Sequence, residues 1–218
     1  MSEPERSGEA LARLDEISRR LRVECPWDRE QDERSIVPHT VEEAYELADA
    51  AQRGDDRKML DELGDVLFQV VFLSILLEER GEGSFADVAD HCRTKLIRRH
   101  PHVFGDVEAS TAGEVLRNWD EIKRGEEGRE PGIFGDVPEN LPSTLYARKL
   151  LRRASSAGHE WEPDRPLAEL AERLDGFDAV GDLLFAAVAE ARRLKVDPEL
   201  ALRAAADRFR NEIDEEDA

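Results

Sequence analysis

Residues 41–69 read VEEAYELADAAQRGDDRKMLDELGDVLFQ, and the spacing of acids within this stretch decides the fold. Two amphipathic helical segments flank a turn at Gly54-Asp55-Asp56. Each segment carries acids at an i, i+3 spacing, Glu43 and Glu46 on the first and Glu62 and Asp65 on the second. At about 100° per residue, positions three apart share one stripe of a helix. On the second segment Lys58, Glu62, Asp65 and Gln69 fall within about 60° of one another on that count. Leu63, Val66, Leu67, Val70 and Leu77 form an adjoining apolar stripe, and Val41, Ala44, Leu47, Ala48 and Ala51 form that of the first segment. A short turn makes the two helices antiparallel, so the apolar stripes are expected to pack together with the acids meeting at one edge. Carboxylates held close repel one another and favour a cation. Hard oxygen ligands on rigid helices suit Mg²⁺ or Mn²⁺ rather than zinc. A single ExxE in an acidic protein is an ordinary solvated helix face. Two such pairs, each bordering an apolar stripe, give the metal reading equal weight.

Composition narrows the function classes. The chain has 218 residues, enough for one large or two small domains, and carries 51 acidic against 31 basic side chains, a net charge of −20. That balance argues against sequence-independent binding of a nucleic acid polymer, which needs a basic surface. Single nucleotides remain compatible with it, because a metal and a few local cations reverse the potential inside one site. Cys25 and Cys92 make no disulfide framework. No apolar run reaches membrane-spanning length, and MSEPERSGEA carries no signal-peptide pattern. A cytoplasmic protein without a membrane partner is the expectation.

Outside the acidic stretch, helical periodicity recurs. Leu11, Leu14, Ile17 and Leu21 predict a helix over about 8–22, and Pro26 and Pro38 punctuate a loop over 24–38. Trp27 in that loop reads more readily as a plug at a core edge than as a base-stacking ring, and Cys25 as packing. Ser84-x-x-Asp87 caps a helix running to about His100. It carries Lys95 and Arg99 at i, i+4, so both cations can face one anion. Thr111-x-x-Glu114 caps another helix to about Arg124, with Trp119 and Lys123 one turn apart. An aromatic ring and an ammonium at that spacing suit a base and a phosphate, although alone the pair is weak. The segment 125–142 is rich in Gly, Pro and charge and reads as a linker. Helices are expected at 143–156, 166–175, 177–194 and 198–213, with a disordered acidic tail EEDA. No stretch alternates as a strand does, so the fold class is all-α.

Glu42-Glu43-x-x-Glu46 followed by Glu62-x-x-Asp65 resembles the metal motif of the MazG family of nucleoside triphosphate pyrophosphohydrolases. CPWDREQ at 25–31 and KLIRRHPHVFGDV at 95–107 are similar to the N-terminal half of the same family. The resemblance implies a helical-bundle fold and hydrolysis of a nucleoside triphosphate to the monophosphate and pyrophosphate, as house-cleaning of canonical or damaged nucleotides. It implies Glu43, Glu46, Glu62 and Asp65 as ligands of Mg²⁺, with Mn²⁺ as a substitute, and Glu42 or a metal ligand as the base. It implies Lys58, Lys95, Arg99, Trp119 and Lys123 as substrate-binding residues, and a homodimer as the assembly.

The second half looks like a worn copy of the first. VGDLLFAAV at 180–188 echoes LGDVLFQVV at 63–71, placing Ala179 where Glu62 stands. Glu169 and Glu172 keep an ExxE, at a much shorter spacing from Asp182. The expected organisation is therefore a catalytic MazG-like domain at 8–124, a linker at 125–142 and a shortened, degenerate one at 143–213. Two kinds of rival stand beside this reading. One is a related all-α pyrophosphohydrolase acting on deoxyuridine triphosphate or phosphoribosyl-ATP, against which CPWDREQ and the tandem layout count. The other is a non-catalytic helical interaction module, against which the intact acid set of the first half counts.

Overall fold

A computed structural model describes residues 2–216 except Glu127, 129–131, Asp136, Glu139 and Arg173. The described residues form helices and connections with no strand, as the lack of alternation predicts. Their contacts divide into two compact units, Met1–Leu96 and Ile97–Ala218.

The first unit contains α1 (Glu3–Glu24), α2 (Pro26–Glu30), α3 (Glu33–Arg53), α4 (Asp56–Glu79) and most of α5 (Phe85–Arg99). Helix α1 begins earlier than periodicity predicts, because the Glu5 carboxylate accepts the Ser2 N–H at 2.7 Å and closes a capping box. The expected loop at 24–38 is mostly helix. Pro26 stands at the first position of α2, where its missing N–H costs nothing. Asp32 opens α3 by accepting the Ser35 N–H at 2.8 Å, while the Ser35 hydroxyl accepts the Asp32 N–H at 2.9 Å. Pro38 therefore lies inside α3, near its exposed start, where the one backbone bond it forfeits is replaceable by water.

The turn between α3 and α4 is short. Gly54 ends α3 at φ 66°, a left-handed conformation that glycine adopts without a Cβ clash. Asp55 then caps α4, accepting the Lys58 N–H at 3.0 Å. So tight a connection folds the helices back on each other. Ile36, early in α3, accordingly packs with Phe72 and Leu76, late in α4. Arg22 of α1 braces this hairpin. It donates to both Glu79 carboxylate oxygens at 2.8 and 2.9 Å, to the carbonyls of Asp28 and Gln31, and lies 5.8 Å over the Phe72 ring.

The inward face of α4 differs from the one expected. Glu62, Gln69, Phe72 and Leu76 are buried, whereas Leu63 and Val70 of the expected apolar stripe are exposed, as is Val41 on α3. Glu62 thus lies on the packed side of α4, while Asp65 stays open to solvent at its edge. Trp27, expected at a core edge, is 52% exposed, its ring tilted toward His39 at 6.0 Å.

The second unit holds α6 (Pro101–Phe104), α7 (Ala112–Arg124), α8 (Ser143–Ser156), α9 (Leu167–Ala171), α10 (Phe177–Arg193) and α11 (Pro198–Glu216). Buried Asp120 of α7 accepts two hydrogen bonds from Arg152 at 2.7 Å and one from the Ser156 hydroxyl at 2.8 Å, fixing α7 to α8. Helix α9 is shorter than the expected 166–175, and α11 runs past 213 to Glu216. Asp217 and Ala218 of the acidic tail, and several residues of the 125–142 linker, lie outside the described residues.

Phe72 is fully buried against Ile36 and Leu76. Phe72→Ala is expected to destabilise the first unit by about 3–5 kcal/mol through lost transfer energy and a cavity. The shift of its urea unfolding transition measures this.

Candidate metal centre

The α3–α4 hairpin brings three of the sequence-predicted acids to one point. Oxygen atoms of Glu43, Glu62 and Asp65 all lie within 4.8 Å of one another. Among the described residues this is the single group of three or more His, Cys, Asp or Glu side chains so placed. Glu43 comes from the middle of α3; Glu62 and Asp65 come from one turn of α4 facing it. The cluster is graded in exposure: Glu62 is 2% exposed, Glu43 half-buried and Asp65 open to solvent.

Electrostatics explain how such a group survives without collapsing the hairpin. Burial, the Asp65 charge and the nearby Glu62 and Glu46 carboxylates push the Glu43 carboxyl above its usual range. Lys58, one turn before Glu62, donates to the buried Glu62 carboxylate and lies 3.4 Å from Glu46. Those partners raise the Lys58 ammonium above its ordinary value, Glu62 most of all. Glu46 therefore meets the cluster through Lys58. Glu42 is not one of the three: 68% exposed, it pairs with His39 Nδ1 at 3.2 Å.

The donor set fits a hard divalent cation. It offers carboxylate oxygens alone, on two rigid helices, where burial and then mutual repulsion already disfavour proton loss from Glu43. No imidazole or thiol joins the group, so the soft-ligand character of a zinc site is missing from these residues.

Residues 31–104 match the family model of the MazG nucleotide pyrophosphohydrolase domain. The chain is 37% identical over 220 residues to the nucleoside triphosphate pyrophosphohydrolase of Escherichia coli (strain K12), covering 91% of this chain and 84% of that protein. The chain belongs to the MazG family. It is also 40% identical over 197 residues to the nucleoside triphosphate pyrophosphohydrolase/pyrophosphatase MazG of Thermotoga maritima, covering 85% of this chain and 76% of that one. A solved MazG-related protein from Thermotoga maritima aligns with 51% of this chain and 97% of its own, at 23% identity and a TM-score of 0.45.

The remaining candidates of this MazG-family chain are placed differently. Lys95 is half-buried on α5. Arg99, Trp119 and Lys123 belong to the second unit. There the Arg99 guanidinium lies 5.4 Å over the Trp119 ring and donates to both oxygens of Glu126, at 2.8 and 2.7 Å. Arg98 donates to the same carboxylate at 2.6 Å, and His100 meets Trp119 edge-on at 4.8 Å. Sequence reasoning missed Glu126 because nothing in a Gly- and Pro-rich segment signals a partner so far back in the chain. It placed Gln69 on the acid stripe without foreseeing its burial.

Glu43 yields a pH-dependent expectation. A carboxyl with a raised folded pKa charges at a cost to stability. In the cation-free protein that cost is present at neutral pH and vanishes as pH falls through the folded pKa into the usual carboxylate range. Glu43→Gln should therefore raise the thermal midpoint in EDTA at pH 7, and the gap should close toward pH 4. Thermal melts across that range check it; a gap independent of pH would contradict the assignment.

Proposed function

We propose that the chain hydrolyses nucleoside triphosphates to nucleoside monophosphates and pyrophosphate, with Mg²⁺ bound by Glu43, Glu62 and Asp65 and joined by Glu46. The observation that carries the reading is the convergence of three carboxylates beside Lys58, in a chain of the MazG family. When bound, Mg²⁺ or its substitute Mn²⁺ supplies charge for phosphate oxygens and a water of lowered pKa. The carboxylates hold it and orient it. Lys58, Lys95, Arg99 and Lys123 offset the triphosphate charge and the charge that develops on departing pyrophosphate. Trp119 offers a face for the base. A carboxylate takes the proton of the attacking water, either Glu42 or one of the ligands. A new P–O bond forms as the bond to pyrophosphate breaks. The substrates on this reading are canonical or damaged nucleotides cleared from the cytoplasm. No helix among the described residues is long and apolar enough to cross a membrane.

The same reading includes a homodimer. Leu60, Leu63 and Val70 are exposed on the side of α4 turned from α3, and a Cβ at Gly64 beside them would meet nothing within 4 Å of this chain. An apolar helix face with such a gap suits close packing against a second copy. It also includes the tandem organisation of 8–124, 125–142 and 143–213. Among the described residues Glu169, Glu172 and Asp182 form no converging group of ligand atoms like that of Glu43, Glu62 and Asp65, which supports a second half that keeps packing and lacks chemistry.

Asp65→Asn is expected to remove pyrophosphate release while leaving helical content intact, and Asp182→Asn to leave the rate near wild type. Coupled detection of pyrophosphate on the folded variants decides both; activity in the Asp65 variant would refute the site. Lys95→Ala and Lys123→Ala are each expected to lower kcat/KM by about ten- to a hundredfold, the loss of one charge-assisted phosphate contact. Steady-state kinetics unchanged within about twofold would make them ordinary surface residues.

A further inference from the structure

Gln69 follows Asp65 by one turn on the inward face of α4 and is 7% exposed. Its carbonyl oxygen Oε1 is buried with no hydrogen-bond partner among the described residues. A buried amide oxygen left unmet is costly, and native interiors rarely tolerate one without a reason. Packing supplies none here. Along α4, Gln69 stands between Asp65 and the apolar group that Phe72 and Leu76 form with Ile36, and an unbranched apolar chain at such a buried position would avoid that cost.

Helix geometry says which way the amide faces. Side chains on an α-helix lean toward its N-terminus, over the preceding turn. For Gln69 that turn carries Asp65, with Glu62 on the same row beyond it. By that geometry the Gln69 side chain leans from α4 toward the turn that carries Asp65. Ionised carboxylates only accept, so neither Asp65 nor Glu62 can satisfy its Oε1. No donor among the described residues meets it, and a donor brought by a bound species fits the gap. Mg²⁺ surrenders its hydration shell reluctantly, and its polarised waters are strong donors. Outer-shell hydrogen-bond partners of a metal's ligands tune its affinity by about ten- to a hundredfold.

We infer that Gln69 is a positioning residue of the metal centre, whose Oε1 accepts a hydrogen bond from a water on the cation held by Glu43, Glu62 and Asp65. The inference rests on the cation reading of the cluster proposed above. It gives the buried amide its partner and ties the hydration geometry of the cation to the packed seam of the hairpin.

The test uses the full chain as wild type, Gln69→Met, Gln69→Leu and Gln69→Glu. Mn²⁺ binding is followed by loss of the free-ion paramagnetic resonance signal, and thermal unfolding is recorded in EDTA. Gln69→Met and Gln69→Leu should weaken Mn²⁺ binding by about ten- to a hundredfold. In EDTA their midpoints should equal or exceed that of wild type, because each removes an unmet polar atom. Gln69→Glu keeps an acceptor and should bind Mn²⁺ at least as tightly as wild type. Apolar variants that bind Mn²⁺ within about twofold of wild type would overturn the inference. So would apolar variants that melt below wild type in EDTA, since the amide would then have a partner within the fold. Wild type that binds no Mn²⁺ would overturn the cation reading itself, an outcome distinct from either of these.

Discussion

A carboxylate almost removed from water, that of Glu62, held by the Lys58 ammonium one turn away, governs the first unit. Burying a charge is tolerable only where a partner compensates it. Lys58 serves that purpose and reaches Glu46 as well. The pair obliges α3 and α4 to meet with their polar rows inward at one level and their apolar rows inward at another. Ile36, Phe72 and Leu76 close the far level. Stability and chemistry thus share one helix face, with an apolar seal at one end and a charged opening at the other.

The hairpin turn sets that register. Gly54 in the left-handed conformation and Asp55 as the next cap allow little slack between the helices. Glu43 is thereby fixed opposite Glu62 and Asp65 before any ligand arrives. Burial first, and then the neighbouring carboxylates, push the Glu43 carboxyl above its usual range, so the cluster carries an electrostatic cost without a cation. Arg22, through Glu79, the Asp28 and Gln31 carbonyls and the Phe72 ring, braces the end of the hairpin away from the turn.

Much of this was legible in the sequence because a three-residue spacing of acids translates directly into one helical stripe. The all-α class, the hairpin and the convergence of Glu43, Glu62 and Asp65 followed from it. The inward face of α4 did not. Leu63 and Val70 are better hydrophobes than Glu62 and Gln69, so transfer energies alone put the wrong residues inside at these positions; Val71, Phe72, Ile75 and Leu76 are buried in the usual way. Pro38 misled in a similar way, since the strong Asp32–Ser35 cap starts α3 ahead of it. The Arg99–Glu126 pair depends on the chain's path between them, which composition does not encode.

The central claim is that the Glu43–Glu62–Asp65 cluster works through a divalent cation. The most direct measurement is pyrophosphate release from a nucleoside triphosphate by chain stripped with EDTA, before and after titration with Mg²⁺. The account predicts release at background level in the stripped protein and recovery that saturates as Mg²⁺ fills the site. Undiminished release in excess EDTA would contradict it.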